Sequence, residues 1–432
     1  MAGLSAQRPP RRPGRRGAAD LPGASIHQIA TQARRVVAVF LAFSPAARHF
    51  LAFSILISIA FAIFNLVFNL YMSALGFSND IIGVFNSLPA LALLGVGLPL
   101  AAMADRIGYR LFLLGSGSLA VIGSLVLSIA GGRLVAVLAA GTFALALSVL
   151  AVLSGPLLAQ ISRETERVSL FAVNQFGGGI PEAAARATRL SSASPGSIRS
   201  AFVVMTLLTV LGLPFLLRLA KEAGLRPTVV MPVRDLLRVD TRRFTRILLP
   251  GFVLGIGAGM YLNFLQLYLL QRFGLTPGPI GLILAVGAAL TALVTLLAPR
   301  VARRTGLSRS VGLLQAAGSP LVLGLAFIMT LPLAVVIIYL RQLALNLQAP
   351  LSQVFGMEYV EPQQRARLAT AQTVVTGIGL GGLGPLLSGF LQVRGGYQLA
   401  FSVSAGFYML AGLTFLVMFG RLRLPSERAA AG

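Results

Sequence analysis

One arginine stands deep inside an apolar segment, where a charged side chain needs a chemical reason. Arg341 lies well within the run 332–357 and, outside segment 168–192, is the only ionisable side chain at such depth. A charge there costs about 3 kcal/mol on insertion scales and is a functional hypothesis by default. Because a guanidinium pairs with anions, we predict that Arg341 binds an anionic group of a small molecule. The alternative is a structural hydrogen bond to an amide or a backbone carbonyl.

Three apolar segments also carry amide side chains, which hydrocarbon cannot satisfy. Their spacing is helical, so we expect them to point into the protein rather than at lipid. Such amides either line a cavity or form hydrogen bonds between helices, and the sequence leaves both open. The amides concerned are Asn65, Asn69, Asn263, Gln266, Gln342 and Asn346.

Residues for catalysis and for cofactor binding are scarce. The chain has no cysteine, and its two histidines, His27 and His49, precede the first long apolar run. Its single lysine, Lys221, lies outside any phosphate-binding loop pattern, and no H-E-x-x-H sequence occurs. We therefore predict a protein that is not an enzyme, binds no metal and needs no cofactor.

The elements that position these side chains are membrane-spanning helices. Hydrophobic residues make up 56% of the chain, charged residues 11%, and the mean hydropathy is +0.84. About twenty apolar residues cross a bilayer. The sequence predicts an all-α polytopic membrane protein with twelve transmembrane helices, the fifth of them anomalous. The clear spans are 50–73, 81–103, 111–130, 134–160, 200–217, 247–271, 279–299, 310–330, 332–357, 368–392 and 397–420, and the anomalous one is 168–192, which contains Pro181, Glu182, Arg186 and Arg189.

These spans divide into two halves of six. We expect a cytoplasmic tail with a possible surface helix at 1–48 and a first six-helix half at 49–217. A basic cytoplasmic linker at 218–246 precedes the second half at 247–420, and a second cytoplasmic tail covers 421–432.

The positive charge of the chain follows this topology. Six of the 36 lysines and arginines fall in predicted outer segments, one is Arg341, and all the others fall in inner segments. Such a bias is typical of loops retained in the cytoplasm. We therefore interpret the net charge of +24 as a topology signal rather than a sign of nucleic-acid binding. Segment 168–192 must cross or re-enter for the bias to hold in the second half.

An offset of 198 residues brings similar landmarks together. Asn65 matches Asn263, Gly76 matches Gly274, Gly83 matches Gly281, Arg106 matches Arg304, and Gly108 matches Gly306. The repeat predicts two copies in the same orientation, related by a pseudo-twofold axis along the membrane normal.

The loop after the second span carries a specific motif. Residues 101–110 read AAMADRIGYR, in which Asp105, Arg106, Gly108 and Arg110 match the pattern Gly-x-Leu-Ala-Asp-Arg-x-Gly-Arg-Arg/Lys. With the repeat, this motif makes residues 47–424 resemble the major facilitator superfamily. The leading glycine and the penultimate arginine of the pattern are missing here.

The resemblance implies a conformational gate at the cytoplasmic side. In the family the aspartate contacts the start of span 11, and the arginines pair with carboxylates that end span 4, here Glu164 or Glu166. The second copy keeps Arg304 and Gly306, with Arg303 in place of the aspartate. Gly108 is expected to form a tight turn with positive φ. Alternatively, Asp105 only caps a helix and helps to set the topology.

The resemblance also places spans 1, 4, 7 and 10 around a central cavity, which Arg341 and the six amides would line. It implies a secondary active or facilitative transporter of a small molecule, anionic or amphipathic, that works by alternating access. The alternative is a non-transporting or impaired relative of the same fold that acts as a sensor or a pseudo-transporter. We expect a monomer in the cell membrane with both termini in the cytoplasm, whose partners are its substrate and the lipid bilayer.

Overall fold

Long apolar runs fold as helices because a backbone in hydrocarbon must satisfy its own hydrogen bonds. The computed structural model of the protein describes residues 43–92, 103, 108–129, 132–161, 195–222, 241–295, 306–361 and 364–422. The anomalous span 168–192 lies outside these residues, as do most of the two predicted tails and of the linker 218–246. The helices from Pro45 onwards belong to one compact unit.

Twelve α-helices and one π-helical turn make up the described part of the chain. Their order follows the predicted spans, with two interruptions considered below. The helices are α1 Pro45–Ala74, α2 Asn79–Ala92, α3 Tyr109–Ile129, α4 Arg133–Ile161, α5 Pro195–Glu222, α6 Thr241–Leu262, α7 Leu265–Phe273, α8 Pro277–Thr295, α9 Leu307–Phe327, α10 Leu331–Tyr359, α11 Arg365–Gly377 and α12 Gly384–Phe419, and the π-helical turn is Ile378–Leu383.

Eight helical segments among the described residues are long and apolar enough to cross a membrane. The longest, Val374–Phe419, has 46 residues. At 1.5 Å per residue it would extend for roughly 70 Å, about twice the thickness of a hydrocarbon core. Its helical geometry breaks at Gly395 and Gly396, where Gly396 has a φ of 64°. The break falls between the predicted spans 368–392 and 397–420.

Two interruptions pack against each other in the second part of the chain. The predicted span 247–271 is divided at Asn263 and Phe264, between α6 and α7. The π-helical turn, with sequence IGLGGL, interrupts the span that follows α10. The Asn263 side chain donates to the Leu380 carbonyl at 3.0 Å, so an amide satisfies a carbonyl of the turn. Irregular backbone of this kind is often found at functional sites.

Helix contacts form two sets with a bridge between them. Helix α5 packs on α1 and α3, and α3 packs on α4; in the later part of the chain, α12 packs on α6 and α9, and α9 on α10. The bridge consists of α2 against α12 and the π-helical turn, and of α1 against α7 and α8. Gly83 lies against Gly389 near the start of α2, and Ala90, near its end, lies against Gly381, so the bridge runs along α2.

Glycines with left-handed backbone follow the offset of the repeat. Gly108 has a φ of 108° and Gly306 a φ of 80°, and each directly precedes a helix. Gly76 and Gly274, with φ values of 78° and 66°, end α1 and α7. A residue with a Cβ adopts such φ values only with strain. The positive φ predicted for Gly108 is therefore present, and so is its counterpart 198 residues later.

Candidate functional site

A cavity lies between the two sets of helices. Its volume is about 490 Å³, within the range of ligand pockets. Helices α1, α2 and α4 form most of its wall. Asn263, at the break between α6 and α7, and Gly381, in the π-helical turn, complete it from the other set. Leu157, Leu216 and Leu219 line it near the ends of α4 and α5, so the cavity extends toward that side.

The wall of this cavity is apolar and rich in aromatic rings. Phe64 stacks on Phe68 with ring centroids 4.7 Å apart and tilts against Phe143. No described residue of the wall is charged. Its phenylalanines are Phe50, Phe53, Phe61, Phe64, Phe68 and Phe85, and its polar residues are Ser54, Ser58, Asn65, Asn86, Ser148 and Asn263.

Two of the predicted amides line the cavity, and a third joins them. Asn65 and Asn263, the pair related by the repeat, both face it. Asn69 is buried and donates to the backbone carbonyl of Asn263. That carbonyl lies at the break between α6 and α7. The amides of α1 and of the break between α6 and α7 thus serve both as wall and as an interhelical hydrogen bond, the two roles that the sequence leaves open.

The other four predicted cavity residues lie away from the wall. The Asn346 amide donates to the Gln342 carbonyl of its own helix at 2.8 Å. The Gln342 side chain lies against Gly287 of α8. Gln266, in α7, has a buried Oε1 without a partner among the described residues. The fourth is Arg341.

Arg341 is buried between two tyrosines in the second set of helices. Its guanidinium lies 4.4 Å from the ring centroid of Tyr261 in α6 and 5.2 Å from that of Tyr408 in α12, and it donates to the Tyr408 hydroxyl. Only 1% of the residue is exposed. Cation–π contacts of this kind are worth about 2 kcal/mol when desolvated. The cluster links α10 to both neighbouring helices.

Of the predicted gate residues, three fall in the described part. Gly108 and Gly306 form the left-handed turns described above, and Arg110 is exposed at the start of α3. The Gly306 carbonyl accepts from the Ser310 side chain at 2.6 Å and so begins α9. The remaining gate residues lie outside the described residues: Asp105, Arg106, Glu164, Glu166, Arg303 and Arg304.

A polar latch at the opposite side joins the two sets of helices. We use this name for Ser73, Asn79, Gln271, Gln392 and Tyr397. Asn79 donates to Gln392 at 2.8 Å, and the Tyr397 hydroxyl donates to Gln271 at 2.8 Å. The Gln271 side-chain amide in turn donates to the Ser73 hydroxyl at 3.4 Å. The latch therefore holds α2 and the end of α1 against α7 and α12. The sequence contains a signal for the latch, since these polar residues flank the ends of apolar runs.

Beside the latch, α2 and α12 touch through glycines. A Cβ on Gly83 would lie 2.5 Å from the Pro385 carbonyl oxygen, and one on Gly389 would lie 2.5 Å from that of Asn79. Only hydrogen atoms fit at these two points. Small residues allow this close approach of backbones, as they do between other membrane helices.

Sequence comparison identifies the family. The sequence profile of the Major Facilitator Superfamily matches residues 50–381 and, in a second match, residues 247–432. The chain belongs to the major facilitator superfamily. Comparison with curated protein sequences finds no match.

Solved transporters of the major facilitator type share its fold. A bacterial homolog of the human lysosomal transporter Spinster, inward-facing and occupied, is 14% identical with a TM-score of 0.69, over 86% of this chain and 96% of that one. The nucleoside transporter NupG is 16% identical with a TM-score of 0.69, over 87% and 99%. A POT family transporter in complex with 5-aminolevulinic acid is 15% identical with a TM-score of 0.67, over 90% and 96%.

Membership of the superfamily makes the chain a multi-pass membrane protein and a transporter rather than an enzyme. The predicted relationship is thus confirmed. Among the described residues, no three His, Asp or Glu side chains are close enough to hold a metal ion.

Asp80, near the latch, is a candidate for carrying a proton during transport by this major facilitator protein. Asp80 begins α2, and the Ser78 hydroxyl donates to its carboxylate and lowers its pKa below the ordinary value. A lowered pKa keeps the group ionised as the pH falls, so its contribution to the folded state is present above the unfolded pKa, about 3.9. We expect Asp80→Asn to leave the pH profile of transport unchanged between about pH 5 and 8.

Uptake into vesicles at several pH values checks this expectation, with Ser78→Ala as the matched variant that removes only the hydrogen bond. A pH dependence present in the native protein and absent from Asp80→Asn would contradict it.

Proposed function

We propose that the protein is a secondary transporter that carries a small molecule through the central cavity by alternating access. The observation that carries this proposal is the position of the cavity. It lies between two sets of helices, and on one side of it the α2–α12 glycine contact and the polar latch join the sets. On the other side it extends between α4 and α5.

The distribution of basic residues indicates how this arrangement is oriented in the membrane. The turns α1–α2 and α7–α8 carry few basic residues, whereas the linker 218–246 carries many. By the positive-inside rule, this bias supports an outer position for the latch. We propose that the structure represents an inward-facing state in the cell membrane, with both termini in the cytoplasm and with the protein acting as a monomer.

The twelve-helix arrangement in two six-helix halves is part of the proposal. It is supported by the left-handed glycines at equal offsets, by the cavity-facing pair Asn65 and Asn263, and by the second profile match, which begins at residue 247. Segment 168–192 would supply the fifth helix of the first half.

The gate at the inner face is likewise a proposal, based on the motif at Asp105. Its aspartate would hold the inner side shut in the outward-facing state, when the polar latch is open. We expect Asp105→Asn to reduce transport by about tenfold while the protein still inserts, because a charge-assisted contact of about 1.4 kcal/mol would be lost. Unchanged transport together with poor insertion would show that Asp105 acts in topology alone.

Transport itself can be tested with purified protein in lipid vesicles. A panel of small molecules covering neutral, anionic and cationic classes is offered with and without a pH gradient, and entry is compared with that into protein-free vesicles. We expect saturable entry of at least one class. Equal entry with and without protein for the whole panel would contradict the proposal and favour a sensor of the same fold.

A further inference from the structure

We propose that the cargo is an uncharged amphipathic molecule, with an apolar body and one or two neutral hydrogen-bonding groups such as an amide, hydroxyl or carbonyl. This inference rests on the proposed transport function, and it names the class of cargo for the same cavity. It differs from the anionic cargo expected from Arg341 in the sequence.

The body of the cargo is set by the wall. Six phenylalanines and a majority of the other described lining residues present hydrocarbon to the cavity. Phe61 is 46% exposed although it lies in the middle of α1, so its ring is available to a bound molecule. Burial of apolar surface contributes about 25 cal/mol per Å², which favours a cargo whose own surface is mainly apolar.

Amides that make no hydrogen bond within the described part of the chain determine which polar group the cargo carries. The amide nitrogen of Asn86 is buried and makes no hydrogen bond among the described residues. Asn65 faces the cavity from the adjacent helix and is exposed there. By contrast, Ser148 donates to the Ala144 carbonyl at 2.8 Å, and Asn263 donates to two carbonyls. Asn65 and Asn86 therefore retain hydrogen-bonding capacity for a ligand.

The residues that face the cargo determine which charge it can carry. Within the described wall there is no charged residue, and the buried guanidinium of Arg341 is held between Tyr261 and Tyr408 away from it. A charged group that enters such a site loses its hydration without gaining a counter-charge, and this cost is several kcal/mol. A neutral group can instead pair with the donor and the acceptor of an amide.

The experiment uses the absence of tryptophan from the sequence. The variant Phe61→Trp places the only tryptophan of the sequence in the cavity, and Phe327→Trp, on an exposed residue outside the wall, provides the matched control. Emission is titrated in purified full-length protein with two sets of compounds. The first set is N-acetylphenethylamine, phenethylamine and 3-phenylpropionate; the second is octanamide, octylamine and octanoate.

We expect the neutral member of a set to bind at least about tenfold more tightly than its charged counterparts at Phe61→Trp, with no response at Phe327→Trp. Tighter binding of a charged member, equal binding of all three members, or no response to either set would each overturn the inference. Those outcomes leave the transport proposal standing, since that proposal is tested separately by entry of the wider panel into vesicles.

Variants of Asn65 and Asn86 test whether these two amides bind the polar group of the cargo. In the Phe61→Trp background, Asn86→Leu and Asn65→Leu should each weaken binding of the neutral compound by about five- to tenfold, the loss of one hydrogen bond. Asn346→Leu is the matched control, because that amide bonds to its own helix and lies off the wall. Equal effects of all three substitutions, or none from either Asn65→Leu or Asn86→Leu, would contradict the assignment.

Discussion

Transport by the Gly389→Val variant is expected to fall by at least about tenfold, although the protein remains folded. In the structure a Cβ at this position would lie 2.5 Å from the Asn79 carbonyl oxygen and 2.9 Å from the Asp80 Cα atom. Both are backbone atoms, so no side-chain rotation relieves the clash. The bulky residue therefore prevents α2 from meeting α12, so the side of the protein that carries the polar latch cannot close.

The measurement is initial uptake by vesicles that contain equal amounts of folded protein. Gly406→Val is the matched control, because it makes the same substitution in α12 where a Cβ meets nothing within 4 Å. Gly83→Val, which opposes Gly389 from α2, should reproduce the defect. Normal uptake by both Gly389→Val and Gly83→Val would show that the α2–α12 contact is not needed for transport.

Replacement of Tyr408 by phenylalanine should lower the free energy of unfolding by about 2 kcal/mol, because it leaves a buried charged donor without its partner. The Tyr408 hydroxyl is the only described hydrogen-bond acceptor of the Arg341 guanidinium, and Arg341 Nε already lacks a partner among the described residues. Removing the charge as well should relieve much of this cost. We therefore expect Arg341→Met with Tyr408→Phe to be more stable than Tyr408→Phe alone.

Thermal unfolding of the single and double variants forms a double-mutant cycle. Tyr339→Phe is the matched control, since no hydrogen bond of that hydroxyl occurs among the described residues of the structure. Arg341→Met should also keep the affinity for the neutral compounds. An equal cost of Tyr408→Phe with and without Arg341 would show that the hydroxyl and the guanidinium do not stabilise each other. Loss of binding in Arg341→Met would instead assign the arginine to the cargo site.

Much of the fold could be predicted because burial in lipid leaves a strong pattern. The ends of α1, α3, α4 and α10 lie within a few residues of the predicted spans, and the left-handed turn at Gly108 follows from a glycine in a short loop. The break between α6 and α7 was not predicted, because an asparagine within an apolar run resembles a cavity residue as much as a helix break. The π-helical turn had only its glycines as a signal.

The site was less predictable, since hydropathy gives the depth of a residue but not its direction. Arg341 is buried as deeply as expected, yet helix rotation and the position of two tyrosines place it away from the cavity. Asn86 was not considered because it lies in α2, outside the four helices that the family resemblance assigns to the cavity. The direction in which a side chain points depends on contacts between distant segments, and a single sequence does not contain this information.

Distances between spin labels on the two sides of the protein test alternating access most directly. The chain has no native cysteine, so pairs can be introduced without background. One pair, Ala74→Cys with Arg394→Cys, reports on the latch side, and another, Leu111→Cys with Arg421→Cys, on the opposite side; all four residues are exposed. Each pair is measured with and without Gly389→Val. The account predicts that this substitution lengthens the first distance and shortens the second. Distances that stay fixed, or that lengthen together, would contradict it.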